Sequence, residues 1–422
     1  MEDLCQRIPH VSAKIFGFVE NQTLVKCKES SKTIYNLMET QRFFWIRIIQ
    51  AHEGSIQDSW KKVVDKTPIA IIKDFSISIQ QFFNLESGRG YRYKESGQIW
   101  SPLYIAAEIG HAELCKYVGT KTADENHSYG GMKLTDLHIA VCYGRFETFR
   151  LIFENVANKN PRNAFEETPL QQAVEEAHKA AVKGHQNVKK AYFEICNLII
   201  SNVDDKNPEY HKYNNLGVLS AGCVSGQTLF HITAGYGQVE ICKLFIDNLI
   251  NKNPCDNNGN TPLYMAARSG HLDVCTQLME NLLDKNPKNY AGWTPLHSAA
   301  MEGHLDVCEV LMENLLDKNP IDDDDYTPLH AAAFGGHLEV YKLILGNAQD
   351  KTPENVGGDT PLHSAAMMGH FYMCKFILEH ANEKNPINNM GDTPRSMAHN
   401  SGHMNIVYLI DNVMSNRLYL WQ

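Results

Sequence analysis

The stretch Asn289 to Pro320, reading NYAGWTPLHSAAMEGHLDVCEVLMENLLDKNP, decides the fold of this chain. Thr294 can cap a helix through its hydroxyl, and Pro295 suits the first helical position, where the N–H it lacks would have no partner. A first helix, A, therefore starts here. Ala299 and Ala300 are small enough for close packing, and Gly303 suits the left-handed residue that ends such a helix. Leu305, Cys308, Leu311, Met312 and Leu315 follow helical spacing and give a second helix, B, one apolar face. Asn319-Pro320 then turns the chain out into a finger that leads to the next Thr. Two helices this short cannot bury both of their faces alone.

The block Thr294-Pro295-Leu296-His297 returns as Thr327-Pro328-Leu329-His330 and Thr360-Pro361-Leu362-His363, with looser copies opening at Ser101, Thr135, Thr168, Thr228, Thr261 and Thr393. The starts lie 34, 33, 60, 33, 33, 33, 33 and 33 residues apart. A period of 33 built on TPLHxA resembles the ankyrin repeat. The resemblance implies an all-α ankyrin-repeat solenoid of nine helix-turn-helix units with finger loops over residues 99–422. Its stacked units would bury a continuous core and leave an extended concave surface for binding proteins. In the last unit Arg395, Ser396 and His399 fill slots held by Leu296, His297 and Ala300 in the unit opened by Thr294, which predicts a polar cap.

The third unit, 168–227, is enlarged. Thr168 to Gly184 spans 16 residues against nine from Thr261 to Gly270, and His185 to Cys196 spans 11 against four from His271 to Cys275. Both helices have gained seven residues, about two turns, so each apolar stripe keeps its side and the extensions are expected to pair as a protruding hairpin. The finger after Pro208 is 13 residues longer than the one after Pro287 and holds Tyr210, His211 and Tyr213. A loop of this length is either functional or a tolerated insertion.

Residues 1–52 do not share the period. Ile8-Pro9, Ile15-Phe16-Gly17-Phe18-Val19, Thr23-Leu24-Val25-Lys26-Cys27, Ser31-Lys32-Thr33-Ile34-Tyr35 and Phe44-Trp45-Ile46-Arg47-Ile48 run in the order of an F-box. The stretch resembles that family, with Ile8 and Ile34 standing where Leu and Trp are common. The resemblance implies a small helical domain that docks onto the Skp adaptor of a Skp–cullin–F-box ubiquitin ligase, with Ile8, Pro9, Ile15, Phe16 and Leu24 at or beneath the contact. A plain helical cap on the first ankyrin unit is the other reading. Residues 53–98 are expected to form a helical linker, with a capped amphipathic helix from Thr67-Pro68 to Phe83 and a Gly-rich, charged stretch from Glu86 to Gln98 that is a linker or an irregular first finger.

The 422 residues are 43% hydrophobic and 21% charged, within the range of ordinary globular proteins. Lys and Arg number 39 against 49 Asp and Glu, a net charge of −10 that offers no global field for a phosphate backbone, so nucleic acid is not the expected partner. No apolar run approaches the roughly 20 residues of a bilayer crossing. The start Met1-Glu2-Asp3-Leu4-Cys5 lacks the plan of a secretory signal, and 11 cysteines without a CxxC pair fit a reducing compartment. The expectation is a cytoplasmic or nuclear protein without membrane insertion.

Chemistry is not expected either. No GxSxG, Walker loop or HExxH is present. The pairs His111/Cys115, His271/Cys275, His304/Cys308 and His370/Cys374 have the i, i+4 spacing of metal ligands on one helical face. Tyr341 and Val407 fill the Cys slot in other units, however, so that slot wants a buried apolar group. The acidic run Asp322 to Asp325 lacks EF-hand ligand spacing and reads as a solvated finger tip or a contact for a basic partner. No cofactor, metal, catalytic residue or small-molecule substrate is expected.

Comparison among the units points to a binding surface. Asn260, Asp359 or Asp392 precedes Thr in three units, but Trp293 and Tyr326 do so in the central two, while Met301, Phe334, Met367 and Met368 follow the Ala pairs. On a concave face these six would form an apolar and aromatic stripe that binds a substrate protein. The other reading is that Trp293 and Tyr326 pack on neighbouring fingers. The whole then reads as a non-catalytic substrate receptor, its F-box on the adaptor and its ankyrin array on an unknown protein. The alternative is a protein-binding scaffold with no ubiquitin connection.

Overall fold

The computed structural model describes residues 91–92, 99–100, 133–210 and 226–415. The F-box-like segment, nearly all of the linker, the unit opened by Ser101, and Tyr213 lie outside the described residues, as do the domain boundaries at 52 and 98. Two short strands, β1 (Tyr91–Arg92) and β2 (Ile99–Trp100), pair antiparallel with Tyr91 opposite Trp100. The other described elements are helices, as an ankyrin solenoid requires. The chain divides into two compact units, residues 1–173 with 190–195, and residues 174–189 with 196–422.

In the first unit, α1 (Asp136–Cys142) and α2 (Phe146–Asn155) are the A and B helices of the repeat opened by Thr135. Leu137, Phe149 and Ile152 are buried between them. The Asn163 side chain shapes the finger that follows by accepting the Phe165 and Glu167 N–H groups at 2.8 and 3.0 Å.

Helices α3 (Pro169–Val182) and α4 (Gln186–Asn202) form the enlarged repeat. They have 14 and 17 residues, against seven and ten in α7 (Pro262–Arg268) and α8 (Leu272–Asn281), so both carry the seven-residue extension. A turn of three residues, Lys183-Gly184-His185, joins them.

The second unit repeats one A/B pair six more times. The pairs are α5 (Leu229–Gly235) with α6 (Val239–Asn248), α7 with α8, α9 (Pro295–Glu302) with α10 (Leu305–Asn314), α11 (Pro328–Gly335) with α12 (Leu338–Asn347), α13 (Pro361–Met368) with α14 (Phe371–His380), and α15 (Pro394–Asn400) with α16 (Met404–Met414). Successive A helices pack on one another, and successive B helices do the same. The core lies between the two rows. Leu296, Ala299, Ala300, Cys308 and Leu311 are all fully buried, and each such leucine contributes about 2 kcal/mol by leaving water.

The start of five A helices is tied to the next repeat by histidine. Thr294 is extended (φ −99°, ψ 166°) at the cap of α9, and its backbone N–H donates to His297 Nδ1 at 3.2 Å. Since Nδ1 accepts, the ring proton sits on Nε2, which donates to the Tyr326 carbonyl at 3.0 Å. His138, His231, His330 and His363 repeat the arrangement onto Glu167, Asn260, Asp359 and Asp392. A second histidine reaches backwards: Nε2 of His271, His304 and His370 donates to the Gly235, Arg268 and Phe334 carbonyls of the preceding A helix at 2.9, 3.0 and 2.8 Å. Gly303 shows why glycine precedes this ring. It is left-handed at φ 84°, and a Cβ there would lie 2.3 Å from His337 of the next repeat.

The cysteine slot is apolar, as its Tyr341 and Val407 members indicate. Burial pushes the thiols of Cys242, Cys275, Cys308 and Cys374 up to about 12, so they stay protonated and unreactive. Tyr341 and Val407 are each 2% exposed in the same slot.

Burial also lowers the forward histidines, with His138, His297 and His330 held at about 4 and His231 and His363 displaced the same way. Unfolded histidine titrates near 6.5, so between about pH 6.5 and 4 the unfolded chain takes up protons that the folded rings refuse. Their stabilisation is therefore complete above about pH 6.5 and is lost as pH falls toward 4, by roughly 3 kcal/mol for each of the three most shifted rings. Urea midpoints should drop steeply from pH 7 to pH 5. Equal midpoints at the two pH values would contradict this account.

Candidate functional site

The finger bases carry a ladder of side chains, one from each repeat. In six repeats the finger is bent by an Asn or Asp five residues before the Thr: Asn163, Asp256, Asn289, Asp322, Asn355 and Asn388. Asn289 Oδ1 accepts the Ala291 and Trp293 N–H groups at 3.0 and 2.9 Å, and Asp322 Oδ1 accepts those of Asp324 and Tyr326 at 2.9 and 2.7 Å. Neighbouring fingers are joined by backbone bonds, from Tyr290 N–H to Asn258 O and from Val356 N–H to Asp324 O, both at 2.9 Å. These bonds hold the residue before each Thr in register with its counterpart in the next repeat.

Trp293 and Tyr326 consequently stack, with ring centroids 6.0 Å apart and planes 13° from parallel. Each also lies against the buried histidine of its own A helix, Trp293 on His297 at 5.6 Å and Tyr326 on His330 at 4.9 Å. The Tyr326 hydroxyl bonds to Ser364, and burial raises the phenol to about 12. Both rings are half-buried. Beyond them the ladder turns polar. Asn289 donates to Asn260 Oδ1 at 3.0 Å on one side, and Asn388 donates to Asp359 Oδ1 at 2.8 Å on the other. The aromatic pair thus both packs between fingers and keeps part of its surface in solvent.

Met301, Phe334 and Met367 stand at the other end of the same A helices and are half-exposed, and Met368 is 41% exposed. Six helical steps, from Pro295 to Met301 and from Pro328 to Phe334, separate the two rows, a rise of roughly 9 Å. The six candidates therefore form two parallel rows, with ring stacking between Trp293 and Tyr326. Ile8, Pro9, Ile15, Phe16 and Leu24 lie outside the described residues.

One expectation is corrected. The acidic run is not a uniformly solvated tip: Asp322 is only 7% exposed, because its carboxylate is the acceptor that closes the finger, whereas Asp323, Asp324 and Asp325 are exposed. Asp325 adopts φ 59°, the position that Gly292 and Gly358 hold in neighbouring fingers. Tyr210, the first aromatic of the long finger, is turned inward. It is 4% exposed, and its hydroxyl donates to Glu175 Oε1 of α3 at 2.9 Å, so it anchors the base of that finger.

Sequence reasoning passed over the asparagine of the Asn-Pro pair. Asn160, Asn207, Asn319 and Asn385 each place Oδ1 on the backbone N–H of the second residue of the next A helix. The recurrence of Asn before Pro, ten residues ahead of that position in three repeats and 23 ahead across the long finger, was the available signal. Also unforeseen are Ile250, Leu283 and Leu316, which are at least 104% exposed at one repeat position just beyond three B helices. Among the described residues no group of three His, Cys, Asp or Glu side chains converges as a metal site, and no helix is long and apolar enough to cross a membrane.

Asp322→Ala should destabilise the array by about 1–2 kcal/mol, because the Asp324 and Tyr326 amides lose their acceptor. Exchanging Asp323, Asp324 and Asp325 for Asn should change stability by less than about 0.5 kcal/mol. Urea denaturation distinguishes the two, and equal effects would show that the Asp322 carboxylate does not close the finger.

The family described as Ankyrin repeats (3 copies) matches residues 185–289, 277–355 and 347–416. Residues 1–52 fall outside these matches. No curated protein matches the chain. The matched segments run without a gap from residue 185 to 416, more than half of the 422 residues, and coincide with the helix pairs and histidine ties described above: the chain belongs to the ankyrin-repeat family.

Proposed function

We propose that the array captures a protein partner along the finger-base and A-helix rows, and that Trp293, Met301, Tyr326, Phe334, Met367 and Met368 make the contact. Ankyrin repeats in general bind proteins and perform no bond chemistry. The observation that carries the reading is the half-exposed Trp293–Tyr326 stack, placed where flanking repeats have Asn260, Asp359 and Asp392. A ring already held by stacking loses little freedom on binding, so its remaining surface is well suited to a partner's pocket. Trp293→Ala should reduce capture of a specific partner at least tenfold and cost about 1–2 kcal/mol of stability through the lost stack. Quantitative affinity purification with the parent chain and the variant, beside urea denaturation of each, separates the two effects. Undiminished capture by the folded variant would remove Trp293 from the surface.

A second reading is favoured by the ordered match from Ile8 to Ile48. In it the chain is the substrate receptor of a Skp–cullin–F-box ubiquitin ligase, acting in the cytoplasm or nucleus. Ile8, Pro9, Ile15, Phe16 and Leu24 dock the Skp adaptor and through it a cullin. The array raises the effective concentration of substrate lysines near the charged enzyme. Co-purification of the adaptor with the full chain tests this, and the double variant Pro9→Ala/Phe16→Ala should lose it while circular dichroism stays unchanged. If the parent chain brings down no adaptor, the scaffold reading without a ubiquitin connection stands.

A further inference from the structure

The lengthened repeat carries a surface that the finger-base reading does not use. From Ala177 to Phe193 the chain contains Lys179, Lys183, Lys189 and Lys190 and no Asp or Glu, in a protein of net charge −10. Residues 181–188, at the tip of the hairpin, are all exposed, with Val182 at 74% and Val188 at 41%. In five regular repeats, at Gly237, Gly270, Gly303, Gly336 and Gly369, the glycine of this turn is covered by the next repeat's histidine, as Gly303 is by His337 at 2.3 Å. At Gly184 a Cβ would meet nothing within 4 Å. The seven added residues in each helix have carried this turn clear of the stack.

Its charges are only partly spoken for. Lys179 pairs with Glu176 at 2.7 Å and Lys189 with Glu240 at 2.9 Å, both at the foot of the tip. Lys183 has no carboxylate partner among the described residues, and His185 stands beside it in the exposed turn. The tip therefore presents a small basic patch with two aliphatic side chains, bounded below by Glu175, Glu176 and Glu240.

We propose that this tip is a second binding surface, which takes a short acidic segment of a partner protein carrying aliphatic residues between its carboxylates. Charge complementarity with the lysines supplies the attraction, and Val182 and Val188 supply apolar contact. The carboxylates at the foot of the tip select for a small partner. A duplex or a membrane would bring its extended negative surface against them, whereas a peptide a few residues long meets only the lysines and valines.

The test uses the full chain and a labelled peptide of alternating Glu and Leu, followed by fluorescence anisotropy. Binding should weaken roughly tenfold between low and physiological salt, and a Gln-for-Glu peptide should fail to bind. Lys183→Glu/Lys189→Glu should weaken binding at least tenfold. Because Lys189 also holds Glu240, Val182→Ser/Lys183→Gln serves as a second variant confined to exposed positions and should weaken it several-fold. Trp293→Ala should leave it unchanged, which separates this surface from the finger-base row. Absence of peptide binding, indifference to both tip variants, equal binding of the Gln peptide, or tighter binding to phosphatidylserine vesicles or duplex DNA than to the peptide would each overturn the proposal.

Discussion

A neutral imidazole with its proton on Nε2 is the constraint on which the rest of this structure depends. In five repeats it accepts the N–H of the threonine that opens its own A helix and donates to the carbonyl before the next repeat's threonine. One ring thus closes a helix cap and sets the distance to the neighbouring repeat. Only the neutral ring can do both, since a second ring proton would face the threonine N–H. Burial enforces that state by penalising the charged form.

The other recurrent contacts follow from this spacing. Once the A helices are placed, the turn glycine of one repeat lies against the backward-reaching histidine of the next, and there is room for no side chain at Gly303. Adjacent fingers come close enough to exchange backbone hydrogen bonds, and their Asn or Asp acceptors hold them bent. Where the forward histidine is absent, a different pairing keeps the cap: Gln171 and Tyr264 donate their backbone N–H to Oγ1 of Thr168 and Thr261, and Ser396 takes the place of the ring beside Thr393. The array therefore tolerates exchange of the ring provided that the cap remains satisfied.

Two surfaces arise as departures from this regular pattern. From Glu167 to Asp392 the residue before each Thr is polar except at Trp293 and Tyr326, where stacked rings replace amide and carboxylate contacts. The A/B turns that another described repeat follows are covered by it except at Gly184, where the longer helices carry the turn into solvent together with lysine and valine. In each case the scaffold holds the departing side chains on ordered elements.

The period, the helix starts at Thr-Pro, the apolar face of the B helices and the seven-residue growth of α3 and α4 were all legible in the sequence. Each is a local matter, decided by capping, proline geometry and side-chain spacing within a turn or two of helix. The candidate site was legible only as an irregularity among repeats, in which Trp293 and Tyr326 stood out but their stacking did not. Tertiary structure decided that Asp322 is buried while Asp323 is not, that Tyr210 anchors a finger base through Glu175, and that each histidine serves two repeats at once. The physical reason is distance along the chain. A cap or an apolar stripe is made by residues a few positions apart, but the partners that decide the burial of Tyr326, Tyr210 and His297 lie 29 to 38 positions away, on elements that meet only when the repeats stack.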